Sequence, residues 1–265
     1  MARKKTVDEL TKDVLAAEEK PAKTNEKEEP VTQERIEIKP HVVDKFRIRI
    51  VGDTPLMVNR WSEKKKREML ERMQMTKAEK VAAKNNRERR DPFADFVEAA
   101  YWITPEPKVR GLSPDEQQAI FEKAIDDGAK FGFPVISFKK AAVEACYQSG
   151  VIKNRPIMRR MIHVHAVNHA HVGSSQELAI LDIEDAPEMS EDPVTVSNGE
   201  PDLRYRPVFR KWSVDLDIQL IDCGYFTRND IVNAFDRGGF MNGVGEWRTE
   251  KDGEFGNFHV ELVEG

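Results

Sequence analysis

The residues best suited to chemistry lie close to the C-terminal end. There GVGEWRTEKDGEFG (243–256) sets Gly243, Gly245, Gly253 and Gly256 around Trp247, Arg248 and Lys251. Glycine adopts positive φ without strain and lets a second backbone come near, so this density specifies a shaped loop able to receive a ligand. Cationic side chains inside the loop make that ligand an anion. Elsewhere cations stand beside rings: Arg60 next to Trp61, Arg204 and Arg206 around Tyr205, and Arg210 and Lys211 before Trp212. Arg47, Arg49, Lys139, Lys140, Arg155, Arg159 and Arg160 extend the set. A single-strand nucleic-acid binder needs this mixture, because cations track phosphates while rings stack on bases for about 1–3 kcal/mol each.

Four histidines, His163, His165, His169 and His171, form a second constellation. All have odd parity, so one unbroken strand would carry the four imidazoles on a single face, a spacing that can hold zinc. No HExxH motif accompanies them, no cysteine is near, and a bend would scatter the set. A polar, nucleic-acid-facing strand is the favoured account, with a metal-dependent enzyme as an alternative. Other enzymatic signatures are absent: there is no GxSxG elbow and no GxxxxGK[ST] phosphate loop. The glycines of GGFMNGVGEW follow a helix, whereas a dinucleotide fingerprint follows a strand and opens a helix. Asp182, Glu184 and Asp185 read as a solvated loop. The expectation is therefore a non-catalytic protein without a cofactor.

The elements that must position these residues follow from periodicity. Phe46, Ile48 and Ile50 alternate with Arg47 and Arg49 in KFRIRIVG (45–52), which predicts a strand with one buried face. Ser62 is an N-cap for a long helix over 62–90, with net charge +6 and only a thin stripe of Met69, Leu70, Met73 and Val81. A short helix or strand carries Phe93, Phe96, Tyr101 and Trp102, and SPDE opens another helix at Ser113. Val135, Ile136 and Phe138 read as extended, leading into a helix over Lys139–Tyr147, so that Lys139 and Lys140 stand near its start, where a helix favours anions. Strands are expected at 159–172 and 177–184. The chain closes with a strand (212–222), a helix (227–239), the glycine loop and a final strand. That order is half of a ferredoxin-like βαββαβ sheet.

Among 265 residues the net charge is −5, which taken alone argues against a polyanionic partner. Residues 173–202 hold nine Asp or Glu and no Lys or Arg, so the remainder of the chain is net +4. Residues 1–44 contain no aromatic side chain and are crowded with charge, which predicts a disordered arm preceding one domain over 45–265. That domain carries helical (62–130) and β-rich (151–211) insertions. Cys146 and Cys223 lack CxxC spacing and read as reduced thiols. No apolar run approaches the roughly 18 residues of a membrane span, and MARKKTVDEL lacks a signal-peptide core, so a cytoplasmic location without membrane contact is expected.

The order of strand, GDTPLMV turn, FPVISFKKAAVEA element, late βαβ unit and GVGEWRTEKDGEFGNFHV loop resembles the RAMP superfamily, which includes the CRISPR effector backbone subunits. Its members close an RRM-like sheet with a GxGxxRxxGxG loop, to which Gly243, Gly245, Arg248, Gly253 and Gly256 correspond with altered spacing. WRTEKDGEFG is longer than that loop, and no residue matches a cleavage residue of the superfamily's nucleases. The resemblance implies an α+β chain, ferredoxin-like or RRM-like, that binds single-stranded RNA or DNA without cleaving it and assembles head to tail as a homo-oligomer or filament. The charged arm and frequent Met are also in the style of a bacteriophage protein. An assembly protein making protein contacts is the other reading carried forward.

Overall fold

A computed structural model describes residues 40–77, 79, 90–167, 176–195, 199, 201–222 and 224–263. Strand pairing begins three residues inside the arm expected over 1–44, and residues 1–39 of that arm lie outside the described residues. Strand β1 spans Val42–Gly52, because Val42, Val43 and Asp44 still pair with Asp222, Ile221 and Leu220. Its neighbours are β9 (Trp212–Asp222) and β10 (Phe258–Val263), and β4 (Ile162–Ala166) lies beyond β9. The strand order is β10-β1-β9-β4 and every pairing is antiparallel. Short β6 (Asp182–Ile183) pairs with the start of β9.

Alternation divides this sheet sharply. Ile48, Ile50, Val214, Leu216, Ile218, Leu220 and Ile162 are buried on one face. Two helices cover it, α4 (Val135–Gln148) and α6 (Arg228–Met241). Consecutive glycines bring α6 close. A Cβ at Gly238 would press on the α4 backbone at Ala141 and Ala142, and one at Gly239 would overlap the Phe258 carbonyl of β10. Between the layers Phe138 meets Phe258 with ring centroids 5.7 Å apart, and Phe235 is fully buried. Each such ring contributes about 1.5–3 kcal/mol through removal from water.

Between β1 and α4 the chain inserts β2 (Leu56–Met57), α1 (Glu63–Gln74), α2 (Pro92–Ala99), α3 (Pro114–Asp126) and β3 (Gly132–Pro134). Between β4 and β9 it inserts β5 (Leu178–Ile180), β6, β7 (Glu188–Thr195) and β8 (Pro201–Phe209), with α5 (Arg155–Met161) leading into β4. A three-stranded sheet, β2-β8-β7, and the β3-β5 pair result. Aromatic contacts join the insertions: Phe121 touches Trp102, Trp102 touches Phe131, and Phe131 touches Phe209, all at centroid distances of 4.6–6.1 Å. His41–Gly265 forms one compact unit. Among the described residues no helix is long and apolar enough to cross a membrane.

Several sequence expectations are corrected. Of the residues expected in a solvated loop, Asp182 instead belongs to β6, where it pairs with Ser213, while Glu184 and Asp185 do lie in a bend. The strand expected over 159–172 starts only at Ile162. Asn154 caps a helix instead, its side chain accepting from the Ile157 amide with Pro156 in the first turn, so Arg159 and Arg160 are helical. Ser62 does cap α1, which ends at Gln74; Val81, His169, His171 and Cys223 lie outside the described residues.

Candidate functional site

The element that carries Lys139 and Lys140 begins one turn earlier than the sequence indicates. β3 pairs with β5 only through Gly132–Pro134, and Pro134 is the N-cap of α4. Val135, Phe138, Ala142 and Ala145 are buried at helical spacing, and this burial overrides the β-branched character of residues 135 and 136. Lys139 and Lys140 therefore occupy the second turn. The Lys139 ammonium donates to the Ile162 carbonyl at 2.6 Å. Burial, and then the charge of Arg159, hold its pKa below the ordinary lysine value. Lys140 and Arg159 are exposed, and among the described residues neither has a carboxylate within ion-pair distance.

Facing α4 is the glycine loop. Asn242, at the C-terminal end of α6, is buried and donates its side-chain amide to the Ala141 carbonyl at 3.0 Å, which ties the two walls together. Gly243, with φ 63°, turns the chain out of α6 and donates to the Gly238 carbonyl. The loop then folds onto the turn that follows β1. Glu246 N–H donates to Met57 O at 2.9 Å, and Gly256 N–H to Pro55 O at 2.8 Å. Val244 N–H donates to Gly256 O, and Phe255 N–H to Trp247 O.

Between these walls runs a cleft of about 910 Å³. Lys139, Lys140 and Glu144 of α4 line one side, Arg155 and Arg159 of α5 extend it, and Gly243, Gly245, Glu246, Arg248 and Glu250 form the other; Tyr101 and Phe133 also face it. Burial pushes the Tyr101 phenol up, so it stays protonated as a donor. Much of the cleft's charge is internally compensated. Arg155 binds both oxygens of Glu144 at 2.5 and 2.6 Å, and Arg248 pairs with Glu250 at 2.6 Å. Among the described residues, Lys139, Lys140 and Arg159 are the cleft cations with no carboxylate within ion-pair distance.

Seven residues singled out from the sequence thus converge: Lys139, Lys140, Arg155, Arg159, Gly243, Gly245 and Arg248. The others do not line the cleft. Arg47 and Arg49 project from the opposite sheet face, where Arg47 pairs with Asp217 at 2.9 Å, and Arg49 with Asp182 at 2.5 Å and Asp215 at 3.6 Å. Arg60 is paired with Glu106. Trp61, Arg160 and Lys251 are exposed elsewhere. Gly253 and Gly256 admit the chain's own backbone rather than a ligand, since a Cβ on them would overlap the carbonyls of Trp247 and Val244. Trp247 is 42% exposed and holds φ at 51°, a costly conformation for a bulky side chain. Of the sequence's other basic-aromatic groupings, Arg210 binds Glu188, Lys211 binds Glu184, and Trp212 is buried.

His163 and His165 share the outward face of β4, as their parity requires. His165 Nδ1 lies 3.2 Å from Glu177, whose other oxygen accepts from the Ala166 amide. Among the described residues no three His, Cys, Asp or Glu side chains gather closely enough to hold a metal. Sequence reading missed Tyr101 and Phe133, which reach the cleft through the insertion's path, Glu144, which stands one turn beyond Lys140 on α4, and Asn242, whose position before Gly243 marks a helix end but not its partner. No protein-family model matches the chain, and comparison with curated proteins finds none similar to it.

Proposed function

We propose that this chain binds single-stranded nucleic acid, RNA or DNA, without cleaving it, in the cleft between α4 and the glycine loop. The observation that carries this reading is the cluster of Lys139, Lys140 and Arg159 on one wall, which among the described residues has no carboxylate within ion-pair distance, where the neighbouring Arg155 and Arg248 each have one. Tyr101 offers a ring within the same cleft, and exposed Trp247 in its strained conformation is a stacking candidate at the loop. The frame is read as ferredoxin-like: its four strands run in the order fourth, first, third, second, with two helices on one face. The RAMP resemblance agrees with this frame and with a homo-oligomeric or filamentous assembly.

An RRM that binds through its sheet presents aromatic side chains there. The open face here carries Arg47, Arg49, Asp215, Asp217, Gln219, His163 and His165, with its arginines paired to its aspartates. The cleft is therefore the better ligand surface. Absorbance at 260 nm relative to 280 nm of freshly purified protein, before and after nuclease, tests the reading. An excess that nuclease removes supports it, and protein that neither carries nor takes up an oligonucleotide at low salt refutes it.

One feature favours the alternative of a protein-assembly role. Helix α1 has no buried residue and exposes Met69, Leu70 and Met73. That role predicts a defined oligomer by light scattering that is indifferent to nuclease.

A further inference from the structure

Arg206 sits behind the cleft wall in an arrangement that the rest of the fold does not explain. It belongs to β8, and only 8% of its side chain is accessible. Its Nη1 faces the Met57 sulfur at 3.9 Å, Nη2 lies 3.8 Å from Glu246 Oε2, and Nε has no hydrogen-bond partner among the described residues. A guanidinium has five donors in a fixed fork, and a buried one without oxygen acceptors is costly. Burial lowers its pKa against the attraction of Glu246 and Asp192, and repulsion by Arg204 acts in the same direction as burial.

Glu246 separates this fork from the cleft. Its side chain lines the cleft and is 42% accessible, whereas its amide is fixed to the Met57 carbonyl. We propose that Arg206 is a further anion-binding residue of the cleft, screened by Glu246, whose carboxylate occupies the place that a phosphate-class oxyanion of the ligand takes on binding. Phosphate satisfies the fork in two-pronged fashion, which Glu246 at 3.8 Å does not. The inference rests on the cleft reading above and adds to it an internal competitor for the ligand.

The test is a double-mutant cycle read by anisotropy of a labelled twelve-nucleotide single strand, with calorimetry of pyrophosphate as a second probe. Glu246→Gln is expected to tighten oligonucleotide binding about three- to ten-fold, and Arg206→Met to weaken it by a similar factor. In the Arg206→Met background, Glu246→Gln is expected to give no gain. Replacing a buried, loosely paired guanidinium by an apolar chain of similar volume is often neutral or stabilising, and Arg206→Lys is the substitute should Arg206→Met not fold. Equal gains from Glu246→Gln in both backgrounds mean that Glu246 acts by simple repulsion, and overturn the proposal; so does the absence of any gain. If no variant binds oligonucleotide but Glu246→Gln binds pyrophosphate through Arg206, the Arg206 site stands and the nucleic-acid reading falls.

Discussion

Two cations that look alike in sequence behave differently once their neighbours are known. Arg47 and Arg49 face Asp217 and Asp215 directly across the β1–β9 pairing, and such exposed cross-strand pairs are screened by solvent and add little stability. Lys140 and Arg159 have no such partner among the described residues and line the cleft. Lys140→Ala and Arg159→Ala are each expected to weaken oligonucleotide binding several-fold and to flatten its salt dependence by about 0.7 log units per log unit, while Arg47→Ala leaves both unchanged. Anisotropy titrations at several salt concentrations check this. The outward direction of Arg47 and Arg49 was legible from alternation. So was that of Asp215 and Asp217 in WSVDLDIQLID, but their meeting depends on strand register, which no local pattern encodes.

Carboxylates also report at this scale. The hydrogen bond from Arg155 holds the Glu144 carboxyl below its usual range, and that from Arg228 does the same for Asp44. A pKa lower in the folded than in the unfolded chain gives stability that is present above the ordinary carboxylate range and is lost as pH falls through the lowered values. Both pairs are partly exposed, so solvent screening keeps each contribution small. Thermal midpoints are expected to drop on acidification below about pH 4, and Glu144→Gln to remove part of that drop.

At the scale of elements, the glycine loop is first a structural joint. Gly256 has φ +72° and its missing Cβ makes room for the Val244 carbonyl. Gly256→Ala is expected to cost about 2–4 kcal/mol, measured by denaturant unfolding, because it adds both strain and overlap. Asn242→Ala removes a second donor to the Ala141 carbonyl, which keeps its helical bond, and with it the tie between α4 and α6; it is expected to cost about 1 kcal/mol. The glycine spacing announced a shaped loop without indicating whose backbone it would admit. Gly253 and Gly256 admit the chain itself, and Gly243 and Gly245 also reach the cleft. The late strand and helix were legible to within two residues, from a strict alternation and from the Thr227–Asp230 capping box. The start of α4 and the helix at Arg155 were not, because burial in one case and a capped Asn-Arg-Pro turn in the other outweighed β-branched and strand-like patterns.

For the whole molecule, the order β10-β1-β9-β4 places the chain's two ends of recognisable pattern side by side, with β1 and β10 in register from Arg47–Val263 to Gly52–Phe258. The insertions then bring Tyr101, Phe133 and α5 to the cleft, over separations in sequence that composition and periodicity do not bridge. Charge segregation was legible, yet its consequence was subtler than a basic groove beside an acidic tail. Acidic β7 is a strand of the second sheet, and three glutamates enter the cleft itself. The most direct measurement is titration of a labelled single strand with the wild-type protein and with the Lys140→Ala/Arg159→Ala variant across a salt series. The account predicts measurable wild-type affinity at low salt that weakens as salt rises, and a variant at least tenfold weaker with unchanged thermal stability. Equal affinities for the two proteins, or binding that ignores salt, would contradict it.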